Sequence, residues 1–270
     1  MAITTCYRHQ DRATGASCTR CGKPICADCM VQAPVGHHCP DCVREANKGV
    51  RRVNVDWRRP ATAGAVTKVL IAVNVVVYLL QQSDRSIESR FAMWPFGVAN
   101  GQWYRMLTGT FLHASILHIV FNMAALYIFG VQVEAALGKS RYLALYLLSA
   151  LGGSLCSLLL AAPGQPSVGA SGAIFGLFGA FFVIARARGA DSGPIVGLIV
   201  VNLLLSFADP IIDWRGHVGG LVTGTAIAFG YQWADRLPPS MRKAAQVAVV
   251  VVAGAIIAGL SIARAGTLAA

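Results

Sequence analysis

Residues 169–188 read GASGAIFGLFGAFFVIARAR. The stretch is apolar and uncharged until Arg186, and it is too long for an ordinary strand, so it reads as a buried or membrane-spanning helix. Ser171 stands at its head. Gly172 and Gly176 are four residues apart and share one face. In a bilayer such a small-xxx-small stripe lets two helix backbones approach closely.

Two further stretches point to the same place. Residues 216–224, GHVGGLVTG, carry His217, Gly220 and Gly224 at i, i+3 and i+7, again one face. If that glycine face packs on the helix begun by Ser171, His217 is carried towards the serine. Residues 113–123, HASILHIVFNM, carry His113, His118 and Asn122, of which His118 and Asn122 are four apart. Polar side chains in spanning segments are costly and mark function by default. The residue types suit acyl chemistry. A serine hydroxyl is a weak nucleophile until a base takes its proton, and histidine does this near neutral pH. The Ser171 N–H at a helix N-terminus, with His118 and Asn122, supplies donors for an oxyanion. No Asp or Glu falls near the serine or histidine within their segments, Asp209 and Asp213 lying in a flanking loop. A Ser–His dyad is therefore preferred to a triad.

The surroundings of these stretches are those of a membrane protein. Of the 270 residues 55% are hydrophobic and 13% charged, with a mean hydropathy of +0.57; soluble domains carry about 25% charged residues. The spacing predicts an all-α polytopic chain with spanning segments at 67–82, 114–136, 141–162, 170–186, 194–208, 214–234 and 244–263. The connection 83–112 contains WPFGVANGQWYRMLTGTFL, too polar to span and too aromatic for a plain loop, and is expected to lie in the membrane interface. The net charge of +11 does not point to nucleic acid. Much of it flanks apolar segments: Arg51, Arg52, Arg58, Arg59 and Lys68, then Arg186 and Arg188, then Arg236, Arg242 and Lys243. That is the cytoplasmic-side pattern, where anionic lipid is also met. The opening MAITTCYRHQ has no apolar run behind a basic start, so no cleavable signal peptide is read there.

Seven of the eight cysteines precede residue 43. Ligand candidates come in pairs with two residues between: Cys6/His9, Cys18/Cys21, Cys26/Cys29 and Cys39/Cys42. Such pairs suit tetrahedral Zn²⁺, and eight ligands make two closed, structural sites. An odd cysteine number and a reducing compartment argue against a disulfide framework. Cys156, alone in an apolar segment, reads as a small core residue. The module resembles the cross-braced zinc modules of the B-box and RING kind. That resemblance implies one ion on Cys6, His9, Cys26 and Cys29 and another on Cys18, Cys21, Cys39 and Cys42, with His37 or His38 as alternative ligands in the last pair. What the module binds is not legible.

The membrane part resembles the rhomboid intramembrane serine proteases over about residues 67–236. The resemblance rests on GxSG, a His-x₂-Gly-x₃-Gly pattern two segments later and His-x₄-His-x₃-Asn two segments earlier. Gly130-x₃-Glu134-x₃-Gly138 followed by Arg141-Tyr142 adds to it. Tyr104-Arg105 stands where the family usually has Trp-Arg, and Gly216 precedes His217 where it often has Ala. The resemblance implies a six-helix core plus one extra C-terminal helix. It implies Ser171 as nucleophile and His217 as base. His118, Asn122 and the Ser171 N–H would form the oxyanion site, with Gly169 lining it and His113 holding the cavity mouth and its water. Arg105 and Glu134 would be structural anchors. It implies no metal for catalysis and transmembrane proteins as substrates, cut near their outer ends.

The expected organisation is a zinc-binding module at 1–45, a basic juxtamembrane linker at 46–66, a protease core at 67–236 and an additional helix and tail at 237–270. A multi-pass protein of the plasma membrane is expected, N-terminus inside and active site opening outside. Three rivals remain. An inactive relative that binds clients would lack the serine or histidine. A zinc-module adaptor would need only one anchoring helix. A small transporter would carry ionisable groups across the bilayer, whereas here they cluster towards one side.

Overall fold

A computed structural model describes residues 4–46, 64–209 and 212–269. The chain divides into two compact units, one N-terminal and one beginning beyond residue 57. The expected linker at 46–66, with the basic residues Arg51, Arg52, Arg58 and Arg59, falls largely outside the described residues.

The N-terminal unit holds two small antiparallel ribbons, β1 (Thr4–Thr5) with β2 (Ala13–Thr14) and β3 (Val31–Gln32) with β4 (His37–His38), then helix α1 (Pro40–Ala46). Its buried cluster is six cysteines and Ile25, with Tyr7 and Met30 packed against it. So little apolar surface does not stabilise a domain alone.

The second unit is helical: α2 (Ala65–Ser83), three short helices α3 (Ser86–Phe91), α4 (Pro95–Ala99) and α5 (Arg105–Thr108), then α6 (Ile116–Leu137), α7 (Lys139–Leu160), α8 (Ser171–Ala187), α9 (Gly193–Ala208), α10 (Trp214–Ala234) and α11 (Pro239–Ala269). Among the described residues, α2, α6, α7 and α11 are long and apolar enough to cross a bilayer. The apolar α8 and α9 are shorter, at 17 and 16 residues. At about 1.5 Å per residue they fall several ångströms short of a hydrocarbon core of about 30 Å. The second unit is all-α and makes the chain an integral membrane protein, with exposed apolar side chains such as Leu79, Phe121, Leu204 and Val251 on its outer helix faces.

Glycine sets the centre. A Cβ at Gly220 of α10 would overlap the Gly172 carbonyl of α8, and one at Gly224 would overlap the backbone of Gly176. Gly153 of α7 faces the Gly216 carbonyl in the same way, where a Cβ would come within 2.7 Å. The three backbones thus meet with no side chain between them. Around this contact Leu126, Leu145, Tyr146, Leu177 and Ile227 are fully or almost fully buried.

Two buried charges fix the periphery. Glu134, 4% exposed, accepts from the backbone N–H groups of Val66 and Thr67 at 3.0 and 2.9 Å and from the Thr67 hydroxyl at 2.8 Å. It satisfies the first turn of α2 where the helix dipole favours an anion. Arg105 donates to the carbonyls of Ser89 and Ala92, both at 3.0 Å, and to the Gln102 side chain, and lies over the Trp94 ring. It thereby ties α3, α4 and α5 together. Backbone bonds between Met93 and Ser167, 3.0 and 2.8 Å, join this connection to the loop before Ser171.

The final helix differs from expectation. α11 runs from Pro239 to Ala269, well beyond the apolar window at 244–263. Proline suits the first helical turn, and Arg264 near the other end donates to the Leu158 carbonyl of α7.

Candidate active site and metal centres

Ser171 is the first residue of α8, after the Gly169–Ala170 turn. Gly169 has φ +132°, a conformation other residues adopt poorly, and it frees the chain to pass beside His118. A Cβ there would lie 2.8 Å from both Cε1 and Nε2 of His118 and 3.5 Å from the Ser171 hydroxyl oxygen. The Gly169 N–H donates to the Gly109 carbonyl at 3.0 Å, so the turn is held by the long connection.

His217 enters from α10, one turn after the helix starts. Its Nε2 lies 2.8 Å from the Ser171 Oγ. The ring is 8% exposed and stacks on Phe175, with centroids 4.2 Å apart and planes 12° from parallel. The glycine contact sets this geometry, because α8 and α10 stand close enough for their first turns to share a hydrogen bond. A serine bonded to an imidazole nitrogen is the arrangement in which the base can take the hydroxyl proton.

Sequence reasoning did not single out Ser206 of α9. Its Oγ lies 2.7 Å from His217 Nδ1. Asp213, one turn before His217, is engaged by the Ser157 hydroxyl and lies 4.0 Å from Arg215. A serine inside an apolar helix carries no motif, so only the tertiary crossing reveals it.

The other polar residues gather on the far side of Gly169. His118 Nδ1 accepts from the Ala114 N–H at 3.4 Å, which leaves Nε2 as the protonated, donating nitrogen of the neutral ring. Asn122 donates one amide hydrogen to the His118 carbonyl at 2.8 Å, leaving the second free to donate. The first-turn N–H of Ser171 has no acceptor within its helix. His113 is fully buried, edge-on to His118 at 5.1 Å between centroids. Its backbone is clamped by Gln81, which donates to its carbonyl at 3.1 Å and accepts from its N–H at 3.1 Å. Among the described residues neither ring nitrogen of His113 has a hydrogen-bond partner, a state that suits ordered water.

The N-terminal unit brings the paired ligands into two clusters: Cys6, His9, Cys26 and Cys29, and Cys18, Cys21, Cys39 and Cys42. Within each, the ligand atoms lie inside 4.8 Å of one another. His9 Nδ1 is 3.3 Å from the Cys26 sulfur and 3.5 Å from that of Cys29, and the Cys21 and Cys39 sulfurs are 3.7 Å apart. Tetrahedral bonds of about 2.3 Å to sulfur and about 2.0 Å to nitrogen give edges of about 3.5–3.8 Å. The spacing of both clusters is that of groups which could hold a metal ion. His37 and His38 lie in β4, ahead of the Cys39/Cys42 pair, and belong to neither cluster. Burial raises the thiols of Cys6 and Cys18, but backbone N–H donors outweigh it and bring both down to about 6. Burial and the neighbouring thiols hold Cys29 up at about 11 and raise Cys42 as well. Crowded sulfurs do not all ionise by themselves; a bound cation removes that conflict and releases protons.

A rhomboid domain family model matches residues 100–234, half of the chain. The chain is 35% identical over 172 residues to Rhomboid protease GluP of Bacillus subtilis (strain 168), covering 58% of this chain and 33% of that protein. It is 36% identical over 138 residues to Putative rhomboid protease YdcA of the same organism, covering 49% and 69%. It is 31% identical over 179 residues to Rhomboid-like protease 3 of Toxoplasma gondii, covering 62% and 67%. The chain thus spans only a third of the first of these relatives and about two thirds of the other two. The family match takes in Asn122, Ser171 and His217, and it joins the helical architecture in one conclusion: the chain belongs to the rhomboid family.

Proposed function

We propose that this protein is an intramembrane serine endopeptidase that cleaves transmembrane proteins with a Ser171–His217 dyad. The 2.8 Å contact between Ser171 Oγ and His217 Nε2 carries this reading. His217 takes the hydroxyl proton as Ser171 attacks the scissile carbonyl. The developing oxyanion is met by the Ser171 N–H, His118 Nε2–H and the remaining Asn122 amide hydrogen. His217 then gives its proton to the leaving amine, and water releases the acyl group by the reverse proton path. His113, buried beside His118 with both ring nitrogens unpartnered, offers that water a place to wait. Purified protein in liposomes should cut a single-span substrate whose outer end contains helix-breaking residues. A wild-type preparation that is folded yet leaves every such substrate intact favours the client-binding alternative.

The metal centres belong to the appended module at 1–45 and take no part in catalysis in this reading. All eight positions are filled by protein ligands, which suits structural Zn²⁺. The 46–66 segment serves as a linker, 67–236 as the protease core and 237–270 as an added helix and tail.

The same reading orients the protein. With the N-terminus in the cytoplasm, Lys139 and Arg141, Arg186 and Arg188, and Arg236, Arg242 and Lys243 all fall inside, in keeping with the positive-inside rule. The starts of α8 and α10, with Ser171 and His217, then face the exterior of the plasma membrane. A cysteine added after residue 266 should react with an impermeant thiol reagent on intact cells, and one near residue 50 should stay unlabelled until the membrane is opened. The opposite pattern would invert the protein.

A further inference from the structure

We propose that Ser206 is a positioning residue that fixes the tautomer and ring orientation of His217; this rests on the Ser–His reading above. Ser206 Oγ lies 2.6 Å from the Asn202 carbonyl oxygen, one turn back in α9, and 2.7 Å from His217 Nδ1. A hydroxyl has one proton, and a carbonyl oxygen only accepts. The proton therefore goes to Asn202, and the Ser206 oxygen is left to accept from His217 Nδ1–H. With Nδ1 protonated, the neutral imidazole must present a bare Nε2, and Nε2 is the atom facing Ser171 Oγ at 2.8 Å.

Ser206 thus assigns the tautomer in which His217 can act as a base. Ser206 is 2% exposed and His217 8%, so water does not readily supply the same bond. When His217 takes the Ser171 proton, the ring becomes cationic and its Nδ1–H bond to Ser206 strengthens, as charge-assisted bonds do. In soluble triads a carboxylate holds the histidine in this way. Here a neutral hydroxyl does it, polarised by its own bond to the helix carbonyl. The Phe175 ring fixes the imidazole from its face and Ser206 fixes it from its edge. Helix α9 thereby contacts the base although it supplies neither the nucleophile nor the oxyanion donors.

The test uses full-length protein in liposomes, with rates referred to folded protein measured by size exclusion in detergent. Ser206→Ala should lower kcat by about three- to tenfold, the factor carried by one neutral hydrogen bond, with KM unchanged. Ser206→Thr keeps the hydroxyl and the bond to the i−4 carbonyl, and should recover most of the rate. Ser206→Val matches Thr in shape without the hydroxyl, and should be as slow as Ser206→Ala. A packing role would not separate Thr from Val. Wild-type kcat in the Ala and Val variants, or equal rates for Thr and Val, would overturn the proposal. An inactive wild type would instead remove the hydrolase reading on which it stands.

Discussion

Replacing Ser171 by alanine should abolish cleavage of a single-span substrate while leaving the fold intact. The side chain makes one contact with consequence, to His217, and alanine is tolerated at a first helical position. In soluble serine proteases the loss of nucleophile or base costs on the order of 10⁶ in kcat, and either alone removes nearly all the rate because they act as one unit. His217→Ala should therefore be almost as damaging as Ser171→Ala. Asn122→Ala should be milder, since losing one oxyanion donor costs on the order of 10²–10³ and His118 and the Ser171 N–H remain. The ranking matters as much as the sizes. A purely structural set would give losses that track thermal stability, with Asn122 and Ser171 indistinguishable. Turnover by purified variants, together with their unfolding temperatures, checks both. Activity in folded Ser171→Ala within tenfold of wild type would refute the mechanism.

The second large effect is metal removal. The N-terminal unit has almost no core besides its ligands, since Ile25 is the one non-cysteine in its buried cluster among the described residues. Structural Zn²⁺ contributes about 10–16 kcal/mol in small zinc domains near neutral pH, far more than this apolar surface can offer. The full chain should carry two Zn²⁺, measured by metal analysis on purified protein. A strong chelator should make the region before residue 47 sensitive to protease. Cleavage of substrate by the membrane unit should continue, because no catalytic candidate lies in the N-terminal unit. Zinc-free protein with a protease-resistant N-terminus would remove the metal reading. Parallel loss of zinc and activity would show that the two units are coupled.

The sequence was most informative where a physical rule leaves a period. The glycine stripes at Gly172/Gly176 and Gly220/Gly224 are legible because only glycine permits backbones to touch, and they meet as their spacing indicates. The paired cysteines are legible because two ligands of a short turn grip one ion, and their alternate pairs do cluster. The connection 83–112 was legible only as something neither loop nor span. Its short helices have too few residues to be periodic, and Arg105 and the Met93–Ser167 pairing hold them through contacts distant in sequence. The ends of α11 were missed because its terminal turns carry Arg242, Lys243 and Arg264, which hydropathy excludes although helix geometry continues. Gln81 and Ser206 carry no pattern at all. Gln81 opens the polar end of α2 beside Gln82 and Ser83, and Ser206 lies late in the apolar α9; each meets its partner, the His113 backbone or the His217 ring, only through a contact distant in the sequence.

Covalent labelling reads the activation of Ser171 by His217 without any substrate. Wild-type protein treated with a serine-directed fluorophosphonate should carry one adduct, and mass spectrometry of its peptides should place it on Ser171. The adduct should vanish in Ser171→Ala and be strongly reduced in His217→Ala, with both proteins folded. An adduct that persists unchanged in Ser171→Ala, or no adduct on wild-type protein that cleaves its substrate, would rule out Ser171 as the activated nucleophile.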